Sequence, residues 1–128
     1  MSRAFLNLSN HPSAAWSQAQ TDAALALGAS HVQDLPFPQV DPHASPQEVQ
    51  DLARQVAAQV AALQPAAVHV AGELCLTFAL VALLQAQGLP AVCATTRRDT
   101  EEQTLPDGST HKLARFHFVQ WRAYPTVR

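Results

Sequence analysis

The sequence predicts an α/β fold: a Rossmann-like, mostly parallel sheet with flanking helices and a C-terminal β-hairpin. Three observations carry that prediction. Short apolar runs alternate with stretches whose apolar residues recur at helical spacing. The helical stretches are bounded by start and stop residues. Past residue 94 the pattern changes to β-rich alternation around a Pro-Asp-Gly turn.

Residues 5–8 read as a first strand, stopped by Ser9-Asn10-His11-Pro12-Ser13. A helix follows, with Trp16, Ala19 or Gln20, Ala23, Ala24 and Leu27 on one stripe and Gly28 as its stop. Residues 31–35 make a second strand. The run from Pro36 to Pro42 is an extended loop, because each proline removes an N–H and restricts its predecessor. Ser45 caps the next helix, Pro46 takes its first position, and Glu48 completes a capping box. Val49, Leu52, Ala53, Val56, Val60 and Leu63 share one face of it, and Pro65 ends it. Residues 67–71 form a third strand, broken by Gly72. Residues 74–86 are apolar nearly all round, which predicts a helix buried against the sheet and a partner at once; Gly88 caps it. Residues 91–94 are apolar throughout, as a central parallel strand is. A turn at residues 105–109 joins the hairpin strands, the second carrying Phe116, Phe118, Val119 and Trp121. The expected organisation is one domain over residues 1–128, with a core over 4–96 and the hairpin over 97–124.

Composition narrows the function classes. Charged residues are only 14% of the chain and the formal net charge is -2, so bulk positive potential for long nucleic acid is excluded. So few charges also predict that a homodimer covers part of the surface. Cys75 and Cys93 sit in apolar segments without CxxC spacing and read as buried free thiols, with no metal site and no disulfide. No apolar leader opens the chain and no stretch is long enough to span a bilayer, so a cytoplasmic protein with no membrane contact is expected.

In an open α/β sheet, ligands bind beyond the carboxyl ends of the strands. Ser9, Asn10 and His11 follow the first strand there, feeding a helix N-terminus. Gly72 and Glu73 follow the third, with Thr77 one turn into the next helix. Thr95, Thr96, Arg97 and Arg98 follow the fourth. Hydroxyls, a glycine and paired arginines suit phosphate contacts, so these residues are the candidate ligand site. Each has a plainer reading. Ser9, Asn10 and Ser13 cap a helix, Gly72 serves a tight turn, and Arg97 and Arg98 face Asp99, Glu101 and Glu102. His11 is the candidate for acid–base work, since imidazoles exchange protons near neutral pH. Glu73 would repel a phosphate and suits a ribose hydroxyl or an adenine amine. His69 lies mid-strand and reads as a satisfied core residue. There is no GxGxxG, GxxxxGK[ST], GxSxG or HExxH, and no cofactor is expected.

The segments Leu6-Asn7-Leu8-Ser9-Asn10-His11-Pro12-Ser13, Asp34-Leu35-Pro36-Phe37-Pro38, Val68-His69-Val70-Ala71-Gly72-Glu73 and Ala94-Thr95-Thr96-Arg97-Arg98 together resemble a known group. They are similar to the small ancillary proteins of type III CRISPR systems, stand-alone CRISPR-associated Rossmann-fold domains that include the ring nucleases. The resemblance implies a homodimer that binds cyclic oligoadenylate, usually the four-adenylate ring, in a two-fold symmetric pocket. It further implies that the ring is sequestered or cleaved without a metal, which damps antiviral signalling. Ser9, Asn10, Thr96 and Arg97 would then position the phosphate, and His11 would protonate the leaving 5′-oxygen. Two alternatives stand beside it: a mononucleotide- or phosphosugar-handling enzyme with its site within one subunit, and a non-catalytic dimerisation or sensor domain.

Overall fold

The chain is described by a computed structural model covering residues 2–127. Strand β1 (Ala4–Ser9) is followed by a 3-10 turn (Ser13–Ala15), helix α1 (Gln18–Leu25) and strand β2 (His31–Pro36). Helix α2 (Pro46–Leu63), strand β3 (Ala67–Ala71) and helix α3 (Leu74–Ala86) come next, then strands β4 (Ala91–Thr104) and β5 (Thr110–Ala123). The sheet order is β2-β1-β3-β4-β5, parallel except for the antiparallel β4–β5 pair. This is the α/β architecture that the alternating pattern predicts.

The period-two alternation of β1 and β3 divides the core. Leu6, Leu8, Val68 and Val70 face α2 and α3, where they pack with Val56, Val60, Leu76, Leu80 and Leu84. Phe5, Ala67 and Val92 face the other way, toward Ala24 of α1, Trp16 and Trp121. The capping box of α2 is present: Ser45 Oγ accepts from Glu48 N at 3.1 Å, and Glu48 accepts from Ser45 N at 3.2 Å.

Four local expectations change. The first helix does not start at the Ser9-Asn10-His11 turn. Pro12 holds an extended conformation (φ -58°, ψ 141°), and the N-cap is Ser17, whose Oγ accepts from Gln20 N at 3.2 Å. Strand β4 does not stop at residue 94. Only Val68↔Ala91 and His69↔Val92 pair it with β3, after which it runs on to Thr104 as one arm of a two-stranded ribbon, with a bulge between Thr95 and Thr96. Helix α3 is not buried all round, because Leu74 and Phe78 are 84% and 67% exposed. Cys75 is exposed beside them and Cys93 is half-buried, so neither thiol is fully enclosed.

Candidate functional site

The strand order reverses at β1: the chain passes from β1 to β2 on one side, then crosses to β3 on the other. That switch point leaves a crevice at the carboxyl ends of β1 and β3, where open α/β sheets place their ligands. Register puts Asn7 opposite Asp34 on β2 and opposite His69 on β3, so three polar side chains form one row across the sheet. Asn7 and His69 are almost fully buried, at 1% and 4% exposure, together with Ser9.

A connected set of hydrogen bonds joins this row. Asn7 Nδ2 donates to Asp34 Oδ1 at 3.0 Å and to the His11 carbonyl at 2.8 Å. Asn7 Oδ1 accepts from Ser9 Oγ at 2.7 Å and faces His69 Nδ1 at 2.9 Å. Ser9 Oγ in turn accepts from His11 N at 3.1 Å, and Asp34 accepts from Ser13 N at 3.2 Å. The 10–13 loop is therefore clamped onto the strand ends. Burial alone would raise the Asp34 carboxyl, but the bonds from Asn7 and Ser13 outweigh it and hold the group below its ordinary range. His69 is lowered from 6.5 to about 4, first by burial and second by the nearby His11.

Two cavities flank the row. One of about 240 Å³ is lined by Asn7, Ser9, Asn10, Pro12, Asp34 and Pro36. The other, about 390 Å³, lies on the α1 face and is walled by His11, Trp16, His69, Cys93, Ala94 and Thr96, among others. The His69 ring there packs beside Trp16 and Trp121, with centroids 6.2 and 4.8 Å away, and the two indoles are themselves 5.1 Å apart.

A family model described as "Uncharacterized protein MJ1673 family" matches residues 3–122. The chain belongs to this family. The match runs from just before β1 almost to the end of β5, so row, cavities and ribbon all lie inside the unit the MJ1673 family shares. No curated protein and no solved structure matches the chain.

In this MJ1673-family chain the residues expected at the site fall into two groups. Ser9, Asn10, His11 and Thr96 line the cavities. The others line neither cavity. Glu73 is the N-cap of α3, its carboxylate accepting from Cys75 N and from Leu76 N, so no ribose or amine has that group free and the helix N-terminus already holds an anion. Gly72 is required by packing, since a Cβ there would drive into the Phe37 ring. Thr95 Oγ1 exchanges hydrogen bonds with the backbone of Gln120 at the bulge. Arg97 pairs with Asp99 at 3.3 Å, and the Arg98 guanidinium lies 6.0 Å from the centre of the Phe116 ring. Thr77 Oγ1 is buried and makes no hydrogen bond among the described residues. Sequence reasoning missed Asn7, Asp34 and Trp16, and it took His69 for a passive core residue. The signal was a polar Asn7 at an inner position of an otherwise apolar strand.

Proposed function

We propose that the chain binds a cyclic oligoadenylate, the four-adenylate ring first, at the switch-point crevice, with two copies of the chain around one ring. The observation that carries this reading is the cavity of about 390 Å³ beside the carboxyl ends of β3 and β4, next to the switch point, with largely apolar walls that include Trp16 and the buried His69. Such a lining suits a nucleobase. With two helix N-termini already holding the protein's own Glu48 and Glu73, phosphate recognition falls to side chains, His11 on the cavity wall and Arg98 two residues along β4 from the lining residue Thr96. Exposed Leu74 and Phe78, beside a groove of about 470 Å³, give a second copy an apolar surface to cover.

Where the ring is cleaved, a ribose 2′-oxygen attacks the adjacent phosphorus in line and the bond to the 5′-oxygen breaks. The 2′-hydroxyl proton passes to water, and the 5′-oxygen takes one from His11 in its protonated form. The products are a 2′,3′-cyclic phosphate and a 5′-hydroxyl. Binding without this step sequesters the messenger. A mononucleotide is the second reading, favoured because one chain alone walls the cavity.

The test is to incubate purified protein with labelled cyclic tetra-adenylate and separate bound, free and linear species. Binding at micromolar protein is expected, with AMP competing weakly. No binding at that concentration overturns the proposal, and AMP binding more tightly than the ring selects the second reading.

A further inference from the structure

His69 carries more than packing. The two donors of the Asn7 amide are fixed by acceptors that cannot donate, the Asp34 carboxylate and the His11 carbonyl. The amide oxygen must therefore face Ser9 and His69, and a carbonyl oxygen can only accept. It follows that His69 Nδ1 bears the proton. The imidazole is neutral at pH 7, because burial holds its pKa near 4. Its second nitrogen, Nε2, is then an unprotonated acceptor. That nitrogen has no hydrogen-bond partner among the described residues, while the ring is 4% exposed and lines the α1-side cavity. The rest of the wall is largely apolar: Ala15, Trp16, Ala71, Cys93 and Ala94. An apolar-walled cavity whose lining offers one unpartnered imidazole acceptor suits a heteroaromatic ligand that brings a donor to that point.

We propose that this cavity is an adenine pocket in which His69 Nε2 accepts a hydrogen bond from the exocyclic amine, so that His69 distinguishes adenine from bases bearing a 6-oxo group. The inference rests on the nucleotide reading above. A hypoxanthine base is nearly the same shape but turns a carbonyl toward Nε2. Two acceptors then face each other within the cavity, and the imidazole nitrogen is left without a donor. The row Asp34–Asn7–His69 acts by fixing the tautomer that makes the discrimination.

The experiment compares cyclic tetra-adenylate with cyclic tetra-inosinate, and AMP with IMP, on the unmodified protein. The fluorescence of Trp16 and Trp121, the chain's two tryptophans, reports occupancy beside His69. At least tenfold weaker binding of the inosine ligands is expected. Equal binding overturns the adenine pocket and leaves the nucleotide reading intact, whereas binding of neither ring nor mononucleotide overturns both. His69→Phe keeps an aromatic ring beside the two indoles and removes the acceptor. It should bring the two ligand types within about twofold, and a preference kept in that variant shows that another group reads the amine. If His69→Phe does not fold, the ligand comparison on the unmodified protein decides.

Discussion

Strand β1 and strand β5 belong to the same sheet and are hydrogen-bonded along their lengths, yet they live in different media. Every residue of β1 is buried, whereas β5 is exposed at all but two of its 14 positions. Ladder hydrogen bonds contribute little net free energy, because the unfolded backbone bonds to water instead. What separates the two regions is the apolar area that only the parallel core removes from water. An isolated two-stranded ribbon is marginal by itself, and this one is anchored at its base by Trp121 and by Tyr124, whose hydroxyl donates to the Val70 carbonyl. The core therefore sets stability and holds the polar row in place, and the ribbon adds surface.

That contrast breaks first in the core. Leu80 is fully buried between α2 and the sheet, so Leu80→Ala should cost about 3 kcal/mol through lost transfer energy and the cavity left behind. Urea unfolding followed by circular dichroism measures it. A cost under about 1 kcal/mol would mean that this face of the sheet is not the stabilising one.

The buried end of the row sharpens the comparison through pH. In the unfolded chain His69 binds its proton below about 6.5, while the folded protein delays binding until about 4. Between those values the unfolded state holds more protons, so stability falls as pH falls and levels off below about 4. The gap corresponds to about 3 kcal/mol. Asp34 acts later: its carboxyl lies below the ordinary 3.8, so its contribution is present above that value and lost as pH drops through the folded pKa. Unfolding free energies from pH 7 to 4 should show the histidine slope, and His69→Phe should flatten it. An unchanged slope in that variant would assign the loss to other groups.

What the sequence reveals follows from how far apart the cooperating residues are. Ser45, Pro46 and Glu48 specify the start of α2 within four positions, and Gly88 stops α3 with φ +74°. Both are legible because the physics is local. The row Asp34–Asn7–His69 joins residues up to 62 apart, through a register fixed only once three strands align. No spacing rule finds that row. Glu73 is the instructive middle case. Glutamate is outside the usual N-cap set of Ser, Thr, Asp, Asn and Gly, so local rules do not pick Glu73, yet its carboxylate satisfies the orphan N–H groups that any helix must first satisfy.

The smallest expected effect tests the other region. Phe116 is 66% exposed on the ribbon, with the Arg98 guanidinium 6.0 Å from its ring centre. A cation–π contact at so wet a site is worth about 0.5–1 kcal/mol at most, and part of it is recovered when Arg98 is solvated instead. Phe116→Ala should therefore shift global stability by no more than about 0.5 kcal/mol, measured by urea unfolding at low protein concentration. Concentration is the informative variable. If two chains bury their ribbons against each other, the cost of Phe116→Ala must rise with protein concentration, because the folded dimer then gains stability by mass action and the variant loses part of it. A cost that stays small at every concentration leaves the ribbon outside any contact between copies of the chain.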